Sequence, residues 1–195
     1  MKTNSKLKLG ILTITLALFP LLAAETAFAQ VEVATGTLTQ TGTGLQTFNL
    51  AAGNSTFQLD LNITTNFNSV GITYFLVSND ASGLIAITAR SIVGSPYQDL
   101  TTSDAVAFTP ANGLLDPVNN DDLGATSTDV SNPSPPGMYF INTLTLSFTG
   151  AVAGQTYHIV MDPRDIIADA NFQDVLLSLN TVTINIIPEP ATTGL

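Results

Sequence analysis

The side chains best suited to chemistry in this sequence are acids and amides gathered in one stretch. Asp116, Asn119, Asp121 and Asp122 place four oxygen-bearing side chains within seven residues. Hard cations take six to eight oxygens from carboxylates, amides and backbone carbonyls, so this stretch is a candidate calcium loop. Its order is not that of an EF-hand, which needs alternating ligands, a glycine at the sixth place and a glutamate at the twelfth. A solvated turn closed by Asx caps is the other reading of the same residues. Asp162, Asp165 and Asp169 form a second, sparser acidic set, and Arg164, between the first two, is expected to make a local ion pair.

Catalytic constellations are not supported. The chain has one histidine, His158, and no cysteine. That leaves no thiolate nucleophile, no thiolate metal ligand and no disulfide, and a zinc site would need the lone imidazole plus carboxylates. No G-x-S-x-G elbow accompanies the histidine, so His158 reads as a surface or packed residue. Glycoside hydrolysis needs two opposed carboxylates at a suitable spacing. Past the N-terminal segment the glutamates are Glu32 and Glu189, both near chain ends, and Asp121 and Asp122 are adjacent, pointing to opposite sides of an extended strand. No tryptophan offers a sugar-stacking platform. The chain is therefore read as non-catalytic, with no cofactor beyond a structural calcium ion.

Export is written at the N-terminus. Lys2, Lys6 and Lys8 precede an apolar and small-residue run from Leu9 to Ala24, and Ala27-Phe28-Ala29 offers a cleavage site before Gln30. This is the layout of a secretory signal peptide over residues 1–29, a substrate for signal peptidase. Its removal leaves Arg90 and Arg164 as cations against fourteen acids, a net charge of −12. Nucleic-acid affinity comes largely from Lys and Arg neutralising phosphates, so nucleic acid is excluded as a partner.

The 166 residues from Gln30 to Leu195 suffice for one core and not comfortably for two. Phe57, Leu59, Leu61 and Ile63 alternate with Gln58, Asp60 and Asn62, a period of two that specifies a half-buried strand. Residues 181–186 repeat the pattern, and Tyr157 to Met161 follow it with Val160 as an exception. Between Tyr139 and Phe148 the phase changes, which predicts a bulge near Asn142-Thr143. Thr37 to Leu50, broken at Gly42-Thr43-Gly44, Thr73 to Val77 and Leu84 to Ala89 are further strands. Asp165 to Leu177 is the one stretch with the makings of a short turn or helix. Ser91 to Pro136 reads as a long polar insertion, rich in Asp, Asn, Ser, Thr and Pro. Eight or nine strands with turn residues between them predict an all-β, antiparallel sandwich of jelly-roll or immunoglobulin-like type over residues 30–187.

After the last strand, Pro188-Glu189-Pro190 resembles the sorting motif of PEP-CTERM proteins of exported bacterial type. In that family the triplet lies between an extracellular domain and a hydrophobic helix with a basic tail, and an exosortase processes it. The chain reads from the triplet to Leu195 without helix or basic tail, so residues 188–195 are taken as a truncated sorting segment. The body is similar to a domain of some PEP-CTERM proteins, through residues 119–125 and Gly137-Met138-Tyr139-Phe140-Ile141 between strands. More broadly it is similar to cohesin-like sandwiches, in which a strand such as Phe57 to Ile63 precedes one like Gly71 to Val77. The resemblance implies a jelly-roll-like sandwich with an adhesion or scaffolding role, and it carries over no catalytic residue.

Two function classes follow. One is a structural or adhesion protein at the cell surface or in the extracellular matrix, with extracellular polysaccharide or other surface proteins as partners. The other is a soluble exported module that binds a carbohydrate or another small ligand. An aromatic cluster exposed on one sheet is the feature that would favour the second.

Overall fold

The computed structural model describes residues 30–81, 83–99, 115, 123–127 and 129–189. Thirteen strands run through them: β1 (Ala34–Gln40), β2 (Thr47–Ala51), β3 (Gly53–Thr65), β4 (Ser69–Thr73), β5 (Leu76–Val77), β6 (Ile85–Ser91), β7 (Tyr97–Asp99), β8 (Ala125–Ser127), β9 (Gly137–Ala151), β10 (Thr156–Met161), β11 (Ile166–Asp169), β12 (Asp174–Leu179) and β13 (Val182–Ile187). No helix occurs among the described residues. Phe57, Leu59, Leu61 and Ile63 of β3 are buried while Gln58 between them is exposed, as their alternation requires. Leu144, Leu146 and Phe148 of β9 and Val182, Ile184 and Ile186 of β13 are likewise buried.

The strands form two sheets, one ordered β6-β9-β3-β1-β12-β11-β4-β8-β7 and one ordered β2-β13-β10-β5. Their inner faces share one hydrophobic core. Aromatic rings close it from both sides: Phe48 of β2 meets Phe57 of β3 at 5.7 Å between centroids, and Phe148 of β9 meets Tyr157 of β10 edge-on at 4.8 Å. The architecture is an all-β sandwich.

The bulge is present, one residue earlier than the phase change suggests. Leu61 pairs with Asn142 and Asn62 with Phe140, so Ile141 is the extra residue of β9. Ile141 and Asn142 are consequently both buried, and the Tyr74 hydroxyl donates to Asn142 Oδ1 at 2.9 Å inside the core.

Three expectations are corrected. The sandwich is not wholly antiparallel, because β1 pairs with β12 and β2 with β13 in parallel. The stretch from Asp165 to Leu177 is neither helix nor simple turn, but the hairpin of β11 and β12. Its alternation is inverted: Ile167 and the carboxylates of Asp165 and Asp169 face inward while Ile166 and Ala168 face outward, which hides the strand period from hydropathy. Finally, the stretch from Ser91 to Pro136 is more than a polar insertion. It supplies β7 and β8 to one end of the larger sheet and sends Tyr97, Leu115, Leu123 and Ala125 into the core. Arg90 anchors this part from β6, its guanidinium donating to the carbonyls of Leu123 (2.6 Å) and Gly124 (3.1 Å).

Candidate functional site

The acidic sets lead to structural roles where they are described. Asp116, Asn119, Asp121 and Asp122 lie outside the described residues. Asp162 and Arg164 form the expected ion pair, with Nε donating to Oδ1 at 2.7 Å, and the guanidinium carbon sits 3.9 Å above the centre of the Phe75 ring. Asp165 is fully buried and accepts the N–H groups of Phe75 (2.7 Å) and Asp162 (3.1 Å). Burial outweighs those donors and pushes its carboxyl up to about 7. Asp169 closes the β11–β12 turn by accepting from the backbones of Gln173 (2.7 Å) and Asn171 (2.8 Å), bonds that hold its carboxyl below the usual range. Asp162, Asp165 and Asp169 are thus spent on backbone donors and on Arg164. Among the described residues, no three His, Asp or Glu side chains converge to hold a metal. His158 sits on β10 with its ring 2.9 Å from the Asp80 carboxylate, which also accepts the His158 backbone N–H at 2.8 Å.

Among the described residues, one organised surface is the outer side of β1, β3, β9 and β6. Register places Thr37, Asn62 and Phe140 in one row across the strands, Thr39, Asp60, Thr143 and Ser91 in the next, and Gln58, Thr145 and Ala89 in a third. These side chains alternate with the buried Leu59, Leu61, Leu144 and Leu146 and so point outward. Asp60 is the one charged residue these strands turn outward, since Arg90 is buried. Its Oδ1 is already engaged by the hydroxyls of Thr143 (2.6 Å) and Thr41 (2.8 Å). Gln58 Nε2 donates to Thr145 Oγ1 at 3.1 Å. The face is therefore a largely neutral lattice of hydroxyls, amides and methyl groups, with Phe140 and the exposed Met138 at one end, on strands spaced roughly 4.8 Å apart.

At the C-terminal end, β13 stops at Ile187, and Pro188 and Glu189 follow as exposed residues. Proline cannot donate to a ladder, which terminates the strand there. Pro190 lies outside the described residues.

Comparison with solved structures decides what kind of sandwich this is. A type II cohesin domain from the cellulosome of Acetivibrio cellulolyticus superposes with a TM-score of 0.51 at 10% identity, over 78% of this chain and 95% of that one. The sandwich is cohesin-like. A type I cohesin–dockerin complex from Clostridium thermocellum gives 0.51 at 9% identity, over 80% of this chain and 94% of the matched one. The third ScaB cohesin of R. flavefaciens, solved in complex with a group 1 dockerin, gives 0.50 at 13% identity, over 78% and 94%. No family model and no curated protein matches the chain.

Sequence reasoning did not single out the neutral face, although its signal was present. Thr35, Thr37 and Thr39, and Thr143 and Thr145, occupy every second position of their strands. Threonine at that period marks the solvent side of a strand as clearly as leucine marks the core.

Proposed function

We propose that this is an exported, non-catalytic module displayed at the cell surface or in the extracellular matrix, which holds another surface component through the outer face of β1, β3, β9 and β6. The observation that carries the reading is that face: four adjacent strands whose outward side chains are almost all neutral. Threonine and serine offer donors and acceptors on short side chains with few rotamers, so ordering them on binding costs little. Threonine methyls add apolar contact without a large exposed hydrophobic patch. The cohesin-like sandwich supports the same reading, because two of the solved neighbours are in complexes with dockerins. The exposed Pro188 and Glu189 support a sorting role for the triplet, since a processing enzyme needs an accessible segment beyond the last strand.

The carbohydrate-binding alternative gains less support. Among the described residues, the large exposed hydrophobic side chains include a single aromatic ring, Phe172.

The test separates display from recognition. Asn62→Arg and Thr145→Arg place bulky charges on the face and are expected to leave stability within about 0.5 kcal/mol, as surface changes do. Both variants should reach the envelope fraction like the parent and lose retention on cells or matrix. Retention unchanged in both removes the face from the function. Replacing Pro188, Glu189 and Pro190 with alanine, in a version carrying a C-terminal helix, should alter processing without changing the melting temperature. Unaltered processing leaves the triplet as a strand terminator.

A further inference from the structure

The opposite end of the larger sheet carries a different surface. Register aligns Asp174 of β12, Ala168 of β11, Gly71 of β4 and Thr126 of β8 in one row across four strands. The two smallest side chains stand in the middle of this row, which leaves a groove of about 290 Å³. Ile166, Phe172 and Asp174 are among the residues that line it. The groove is at the small end of ligand pockets, which run roughly 300–1,000 Å³, and has room for one side chain rather than a larger ligand.

Phe172 is held in an unusual state. Its φ is +60°, in the left-handed region that bulky residues avoid, and its side chain is 64% exposed. The turn maintains this conformation, since the Phe172 N–H donates to the Asp169 carbonyl at 3.0 Å while the Asp169 carboxylate binds the N–H groups on either side. A strained, exposed phenyl beside a groove that also carries a carboxylate is a pairing of groups suited to a cation on an aliphatic stem. The molecule makes that arrangement elsewhere: Arg164 lies over Phe75 and is clamped by Asp162.

We infer that the groove bounded by Phe172, Asp174 and Ile166 receives an arginine or lysine side chain from an exposed segment of another protein. Charge selects this occupant. Past residue 29 the chain has two cations, and both are engaged, Arg90 with the Leu123 and Gly124 carbonyls and Arg164 with Asp162 and Phe75. A second copy of residues 30–195 therefore has no unengaged Lys or Arg side chain to offer, and the occupant comes from a different partner. The fourteen acids steer such a partner in. This inference is independent of the sorting triplet and of the neutral face.

The probe is a peptide, Gly-Ser-Gly-Arg-Gly-Ser-Gly, titrated into the isotope-labelled full chain and followed by backbone amide shifts. The expected result is saturable shifts confined to Gly71, Ile166, Ala168 and Phe172. The isosteric, uncharged citrulline peptide should bind at least about fivefold more weakly, the factor that about 1 kcal/mol of cation recognition represents. Phe172→Gly removes the ring while relieving the backbone, so it should abolish the shifts in a protein at least as stable as the parent. Asp174→Asn should weaken them. Equal binding of the citrulline peptide, or shifts spread over the acidic surface, overturns the inference. So does binding retained by Phe172→Gly, or groove shifts that depend on protein concentration alone.

Discussion

The carboxylate of Asp165 accepts the backbone N–H of Phe75 at 2.7 Å from a position with no solvent exposure, tying the start of β11 to the segment between β4 and β5. Burial pushes this carboxyl up to about 7, above the 3.8 of the unfolded chain. A folded-state value raised in this way means that the native protein binds the proton more tightly than the unfolded one. The stabilisation is complete below about pH 3.8 and is lost as the pH rises through about 7. The denaturation midpoint should therefore fall as the pH is raised from 5 to 8. Asp165→Asn, which cannot ionise, should flatten that slope. A parent midpoint constant across the window would show that Asp165 does not titrate there.

The core makes a second prediction. Leu61 is fully buried and pairs across the sheet with Leu38 and with Asn142, the residue beside the bulge. Leu61→Ala should cost about 2–5 kcal/mol, from lost burial and the cavity left behind. Its neighbour Asn62 points outward, so Asn62→Ala should cost less than about 0.5 kcal/mol. Urea titration of the two variants reads the register directly. A larger cost for Asn62→Ala than for Leu61→Ala would mean that the strand faces have been exchanged.

These neighbours also show how far the sequence could be read. Phe57 to Ile63 and Thr181 to Ile186 disclose their buried faces because one side of each strand is apolar and the other polar. Alternation says nothing about which strand lies alongside, and so the parallel pairs of β1 with β12 and β2 with β13 were not legible. The β11–β12 hairpin was lost for a different reason. Its inward positions include Asp165 and Asp169, which backbone N–H groups satisfy, while Ile166 and Ala168 face the groove. Hydropathy assumes that polar means outside, and here the fold supplies donors that make the opposite acceptable. Tyr97 illustrates the same limit within the stretch from Ser91 to Pro136. It is buried with its hydroxyl 2.6 Å from Ser69 Oγ, a partner that no local pattern announces. The neutral face was written in the threonine spacing, whereas the groove depends on four strands falling into one row.

Calcium binding by Asp116, Asn119, Asp121 and Asp122 gives a third prediction. A ligand bound only by the folded state must raise stability by mass action. The melting temperature should rise when millimolar calcium replaces a chelator, and Asp121→Asn with Asp122→Asn should remove the difference. Equal melting temperatures in calcium and chelator would assign these residues to a solvated turn.

The turn between β11 and β12 sets two effects of opposite sign against each other. Phe172 adopts φ +60°, and a side chain there costs roughly 1–2 kcal/mol relative to a residue without a Cβ. Phe172→Gly should consequently raise stability by about 1 kcal/mol, the relief being partly offset by the greater freedom of glycine in the unfolded chain. Asp169→Ala should lower stability, because the backbone N–H groups of Asn171 and Gln173 lose their shared acceptor. The two changes can be told apart by pH. The Asp169 carboxyl is held below its usual value by those donors, so its contribution is present above about pH 3.8 and disappears as the pH falls through the lower, folded value. The parent and Phe172→Gly should both lose stability over that acid range, while Asp169→Ala should lose less. If Phe172→Gly proves less stable than the parent, the ring contributes packing that outweighs the strain, and Phe172 belongs to the scaffold rather than to a binding surface.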